Sequence, residues 1–153
     1  MKQITTLILI ISTFGVFAQH NWDSKNWDKG SIGFGCGFSA SMTKPVIKMI
    51  HLIVERDYIE IRKLLHSKKP EDQFLSAFVL EKLLKKKELE LTEEELLKIS
   101  ELKNSETEVP VCSGCTYWDE QPLSTLLRTN DKHFIYKSAE NWFKIYYKQT
   151  KSN

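Results

Sequence analysis

Three cysteines, Cys36, Cys112 and Cys115, are the residues of this 153-residue chain whose type and spacing are most suited to chemistry. Cys112 and Cys115 form a C-x-x-C pair. In thiol oxidoreductases such a pair begins a helix, whose dipole lowers the pKa of the first thiol. Residues 116–119 do not begin a convincing helix, and no alternation of strands and helices surrounds the pair. A thiol-redox protein is therefore an alternative and not the leading interpretation.

The same cysteines also permit a metal site. Zinc accepts three thiolates and one imidazole, and a C-x-x-C turn is a common half of such a site. The alternative ligand set is Cys36, Cys112 and Cys115 with His133, a histidine nearby in sequence. The chain has no second C-x-x-C pair, and thiols of exported proteins tend to oxidise. The leading expectation is therefore that the protein uses no cofactor, with zinc as the alternative.

A structural disulfide is favoured over both alternatives, and two pairings stay open. Chain-entropy arguments give roughly 2 kcal/mol for closing the short ring between Cys112 and Cys115 and roughly 4–5 kcal/mol for joining Cys36 to Cys112. Proximity favours the short ring kinetically. The long link would tie a glycine-rich lead to a loop near the C-terminus, and thiol–disulfide exchange can connect the two pairings.

Residues 1–18 have the layout of a secretory signal peptide. Lys2 supplies a positive charge, an apolar run extends to Phe17, and residues 16–18 have the small-residue pattern that signal peptidase recognises. The apolar run is shorter than the roughly 18 residues of a membrane span. We therefore expect an exported protein, periplasmic or extracellular, with no transmembrane segment.

Removal of the signal peptide leaves a chain long enough for one domain. We divide it into an irregular lead at 19–42, rich in tryptophan and glycine, and a helical domain at 43–153. The net charge of the whole chain is +2, and loss of Lys2 lowers it by one. A net charge this close to zero gives no electrostatic reason to expect nucleic acid or an anionic membrane as a partner.

Hydrophobic periodicity predicts that the middle of the chain is helical. Pro45 fits the first turn of one helix, and Asp57 can cap a second by accepting the backbone N–H of Glu60. A third helix is expected from Pro70 to the lysines that end at Lys87. Its residues are apolar around most of the circumference, which is typical of a helix surrounded by its neighbours.

The fourth helix has the clearest start signal in the chain. Thr92 and Glu95 make a T-x-x-E capping box, in which each residue's side chain accepts the other's backbone N–H. Leu91 precedes the box and Leu96 follows it, so we expect the two leucines to pack together across the cap. Leu96 is accordingly expected to face the core.

The remaining part of the chain contains the C-x-x-C pair. Residues 106–121 are predicted to form a loop, Pro122 to begin a short helix, and residues 138–148 to form a last helix whose aromatic side chains pack in the core. The expected fold is therefore all-α. It is a compact bundle of about five to six helices with an irregular glycine-rich lead and a cysteine-bearing loop.

Residues 57–103 carry the pattern I-x-x-L-L-x-S-x-x-P, which starts at Ile61, followed by F-L-S-A-x-x-L-E-x-L, which starts at Phe74. This pattern resembles a HEAT-like helical-hairpin repeat. The resemblance implies a pair of antiparallel helices and a role in binding other proteins. No catalytic motif such as H-E-x-x-H or G-x-S-x-G is present. The leading functional hypothesis is an exported, non-catalytic protein that binds a protein partner.

Overall fold

The structure is a computed structural model that describes residues 30–128 and 133–149. The predicted signal peptide and residues 19–29 of the lead lie outside the described residues. In chain order the helices and strands are α1 (Lys44–Val54), α2 (Tyr58–Leu64), α3 (Pro70–Lys85), α4 (Glu93–Leu102), β1 (Glu108–Ser113), β2 (Tyr117–Pro122), α5 (Leu123–Leu127) and α6 (Phe134–Gln149).

The expectation of an all-α fold is wrong, because most of the predicted loop forms a β-hairpin. β1 and β2 pair antiparallel in a two-stranded sheet. Val109 and Val111 point inward and Pro110 points outward, which is the period-two pattern of a half-buried strand. This alternation is short and is interrupted by a proline, so it is weak in the sequence. Among the described residues, the fold is a mixture of six helices and this hairpin.

The turn of the hairpin explains why the C-x-x-C segment is not helical. Gly114 has φ +58, a left-handed conformation that glycine adopts without the steric cost of a Cβ atom. Cys112 therefore ends up inside β1, opposite Trp118, while Cys115 lies on the turn.

The described part of the lead runs beside β1. Ile32 donates its backbone N–H to the carbonyl of Pro110 at 2.8 Å and accepts the N–H of Cys112 at 3.0 Å. Parallel bridges join Ile32 to Val111 and Cys36 to Gly114. Short as it is, this pairing fixes the lead against the hairpin, so the described part of the lead is ordered by β1 and not irregular throughout.

Helix α3 is the centre of the core, as its apolar circumference predicts. It contacts α1, α2, α4, α5 and β1, and every residue from Phe74 to Leu80 is buried. Phe78 packs edge-on against Tyr136 and Phe143 of α6, with ring centroids 5.3 and 6.4 Å apart. These aromatic contacts dock the last helix on the core.

The predicted helix caps are confirmed, but the expected position of Leu96 is wrong. Asp57 accepts the N–H of Glu60 at 3.0 Å, and Thr92 and Glu95 form the complete capping box. Leu96 is 46% exposed, because its neighbour Glu95 takes the buried position and accepts a charged hydrogen bond from Arg62 of α2. The inward face of α4 then begins at Glu95, and Leu96 turns outward.

Candidate functional site

The structure joins Cys36 to Cys112 and leaves Cys115 as an exposed free thiol. The Cα atoms of the joined pair are 5.7 Å apart, and both residues are completely buried. Of the two pairings that the sequence leaves open, the long link is therefore the observed one. It fastens the lead to β1 across a sequence separation of 76 residues.

Gly33 lies directly against this disulfide. A Cβ atom built on Gly33 would overlap both sulfur atoms and would lie 3.1 Å from the carbonyl oxygen of Cys112. Thr43 holds the glycine in place, since its backbone N–H donates to the Gly33 carbonyl at 3.0 Å and its hydroxyl accepts the Gly33 N–H at 3.2 Å. The disulfide thus packs directly on the backbone of Gly33. The hydrogen bonds between Gly33 and Thr43 link this part of the lead to the start of α1.

The candidate zinc ligands are not arranged as a metal site in this state. Cys36 and Cys112 are joined to each other, so Cys115 is the one remaining thiol of the set. His133 precedes α6 and stacks on Phe134 at 4.8 Å. Burial lowers the pKa of His133, and the nearby Asp119 carboxylate partly opposes this shift. Among residues 30–128 and 133–149, no group of three His, Cys, Asp or Glu side chains is placed to hold a metal ion.

A groove of about 350 Å³ opens beside the disulfide, and we call it the α6 groove. Phe34 and Met42 of the lead form one wall, and Cys112 and Ser113 lie at the end of β1. The other wall is one side of α6. It consists of Ile135, Ser138, Asn141, Trp142, Ile145 and Tyr146. The volume lies within the range of about 300–1,000 Å³ that is typical of ligand-binding pockets.

Trp142 lies at the centre of the aromatic lining. Its ring is 5.4 Å from that of Phe34 and 6.2 Å from that of Tyr146. Trp142 is 4% exposed, and its indole N–H has no hydrogen-bond partner among the described residues. A buried donor without a partner costs about 1–3 kcal/mol. Such groups are rare in folded proteins.

As far as residues 30–128 and 133–149 form it, the lining is polar in places but carries no acidic or basic side chain. Ser113, Ser138 and Asn141 supply hydroxyl and amide groups among the apolar side chains. The carboxylates with perturbed pKa values lie elsewhere. Burial raises the pKa of Glu71 at the start of α3, and hydrogen bonds from Tyr117 and Gln121 lower that of the exposed Asp119. Among the described residues, the groove therefore contains no paired acid and base.

One exposed apolar side chain lines the α6 groove, and another lies on a turn whose two ends line it. Phe38 is 99% exposed, on the turn that connects Gly35 to Met42, two residues of the lining. Ile145 is 58% exposed on the opposite wall. Large exposed side chains grouped around a groove are typical of interaction sites.

The prediction that aromatic side chains of the last helix pack in the core is confirmed for Trp142, which is buried in the core cluster. Trp142 also lines the α6 groove, together with Ile145 and Tyr146, and the sequence analysis does not predict this groove. The available signal was a second stripe on α6, which also contains Ile135 and Ser138 at helical spacing beside the core-facing aromatic residues. The opposite wall comes from the lead, at the other end of the described chain.

In the described part of the chain, no helix combines the length and the apolar character needed to cross a membrane. Comparisons with protein-family models, with curated proteins and with solved structures found no match to this chain. The evidence for function therefore comes from the geometry of the molecule itself.

Proposed function

We propose that this protein is an exported, non-catalytic protein-binding module whose docking surface is the α6 groove. The observation that carries the proposal is the grouping of an uncharged aromatic lining with two exposed apolar side chains, Phe38 and Ile145, on a backbone fixed by a disulfide. Buried aromatic and apolar anchors supply most of the binding energy of protein interfaces.

The rigidity of the lead supports this proposal. Cys36 and Ser41 exchange two backbone hydrogen bonds of 2.8 and 2.9 Å, which close the turn that carries Phe38. The disulfide holds the first residue of this turn. A residue on a fixed turn loses little backbone conformational entropy when a partner binds, so more of its contact energy appears as affinity.

Two features of the sequence support the exported location and the binding role. Residues 1–18 have the layout of a signal peptide, and disulfides persist in oxidising compartments outside the cytosol. The segment 57–103 resembles HEAT-like repeats, and that resemblance implies protein binding. Both features are consistent with a partner that is met after export.

Site-specific photo-crosslinking in the cells that produce the protein tests the proposal. A photoreactive phenylalanine analogue replaces Phe38 in one variant and Ile145 in another. The matched control carries it at Ile47, which is 42% exposed on α1, lies outside residues 57–103 and does not line the groove. We expect the same discrete crosslinked protein from the two rim positions, 38 and 145, and none from Ile47.

A second variant makes the assay specific to the docking surface. Phe38→Ser removes the exposed anchor without touching the core, so it should abolish the crosslink formed from position 145. Equal capture from all three positions, or no capture from the rim, would contradict a docking role for the α6 groove.

A further inference from the structure

The solvent-facing side of α6 next to the groove is basic. Lys137 and Lys144 are both exposed and are seven residues apart, two turns along the helix, so they lie on the same side. Asn141 lies between them on this side and also lines the α6 groove. The lysines therefore border the wall that α6 contributes to the groove.

No acidic side chain of α6 offsets these charges. Glu140, the one acidic residue of the helix, forms an ion pair of 2.5 Å with Lys82 of α3. Lys137 and Lys144 make no ion pair with any residue in the described part of the chain. The described residues thus give the groove an uncharged lining and two lysines along one rim.

We propose that the α6 groove binds an acidic peptide segment of the partner protein. A large apolar side chain of that segment occupies the groove and packs against Trp142. Acidic side chains beside the anchor pair with Lys137 and Lys144. This inference rests on the proposed function and specifies the chemistry of the partner.

The pattern of apolar centre and charged rim favours this occupant over two others. Rim charges of a protein interface select partners of the opposite sign and steer their approach. A neutral sugar would gain nothing from the two lysines. A second copy of this chain, bound symmetrically through the same groove, would bring identical lysine-bordered walls together, and like charges would oppose it.

Trp142 lines the α6 groove, and its indole N–H is shielded from solvent in the free protein. A side chain that enters the groove packs against the ring and changes the environment of this N–H. An NMR spectrum of the ¹⁵N-labelled protein reports that change directly, with the Trp142 resonance identified by its loss in Trp142→Phe.

The probes are short capped peptides with one large apolar residue at the centre, flanked on both sides by glutamates, by lysines or by serines. They are titrated into the disulfide-containing protein. We expect the glutamate peptides to shift the Trp142 indole resonance and to bind about tenfold more tightly than the lysine peptides. This preference should shrink at about 1 M salt, where the screening length is about 3 Å.

Charge reversal provides the matched variants. Lys137→Glu combined with Lys144→Glu should invert the preference, so that the lysine peptides bind more tightly. Lys68→Glu combined with Lys85→Glu changes the net charge equally at exposed positions outside the groove, and it should leave the preference in place.

Several results would overturn the inference. One is equal binding of glutamate and lysine peptides, and another is a preference that survives reversal of Lys137 and Lys144. A Trp142 shift produced by neutral oligosaccharides or by raising the protein concentration, and not by the peptides, is a third. If rim crosslinking still captures a protein in those cases, the docking role stands and the acidic chemistry is wrong. If rim crosslinking also fails, the proposed function itself is wrong.

Discussion

Replacing Cys36 and Cys112 with alanine removes the cross-link that holds the lead on β1. Both cysteines are completely buried, so alanine is a better replacement than serine, whose hydroxyl would need a hydrogen-bond partner in the core. Cys115→Ala is the matched control, because Cys115 is an exposed thiol outside the disulfide. The two variants therefore separate the loss of the cross-link from the loss of a cysteine.

The expected magnitude follows from the length of chain that the disulfide closes. The sequence separation is 76, and for a loop of this size the chain-entropy model gives a stabilisation of about 4.5 kcal/mol. Domains of this kind have a total free energy of unfolding of about 5–15 kcal/mol. The double variant should therefore lose a large part of its stability, while Cys115→Ala should change it by less than about 0.5 kcal/mol.

Urea-induced unfolding, followed by tryptophan fluorescence, measures these differences. We expect the midpoint of the double variant to fall well below that of the oxidised protein. The urea dependence of its unfolding free energy should rise, because an unfolded chain without the cross-link exposes more surface. Reduction of the unaltered protein should reproduce both changes.

Two results would refute this reasoning. A loss of less than about 1 kcal/mol in the double variant would mean that the link does not restrict the unfolded chain as the entropy model requires. A disulfide between Cys112 and Cys115, found by peptide mass mapping of the native protein, would mean that the long link is not the one the chain forms.

Two further predictions concern Gly33 and Glu95. Gly33→Ala should prevent the disulfide from closing in its present geometry, and intact mass after alkylation should then show additional modified cysteine. Gly35→Ala is the control and should be tolerated, because a Cβ atom at Gly35 would lie 3.7 Å from its nearest neighbour, the carbonyl oxygen of Ala40. Burial raises the pKa of Glu95, but the Thr92 backbone N–H and the Arg62 guanidinium outweigh it, so the folded-state pKa lies below the usual 4.5. The stability from this carboxylate is therefore present above about pH 4.5 and is lost as the pH falls through the lower folded-state pKa. Glu95→Gln should lower the free energy of unfolding at pH 7 by about 1–3 kcal/mol and reduce the loss of stability as the pH falls below 4.5. The control is Glu101→Gln, at an exposed position. If the loss of stability at low pH is the same in Glu95→Gln as in the unaltered protein, Glu95 does not have this role.

The helix starts could be predicted because their causes are local. A cap requires only that a side chain reach a backbone N–H two or three residues away, as at Asp57 and Thr92. The burial of α3 was readable for a similar reason, since a helix that is apolar on nearly all sides must be surrounded. The exposure of Leu96 could not be predicted from the sequence, because it depends on the contact between Glu95 and Arg62 of another helix.

The hairpin could be predicted only in part from the sequence. The inward pattern of Val109 and Val111 was visible in the sequence, but a strand is stable only when it has a partner and a buried face. Both were supplied by residues outside the segment. β2 pairs along one edge of β1, and Ile32 of the lead pairs along the other.

The sequence by itself determined which residues could do chemistry, where most helices begin and that three cysteines lie outside the helical middle of the chain. Only the tertiary structure decided that Cys112 pairs with Cys36, that Gly33 must lack a side chain and that Trp142 borders a groove. Each of these facts joins segments far apart in the chain. Their proximity is set by the contacts of Phe78 of α3 with α6 and by the pairing of β1 with β2 and with the lead, which no local pattern of residues specifies.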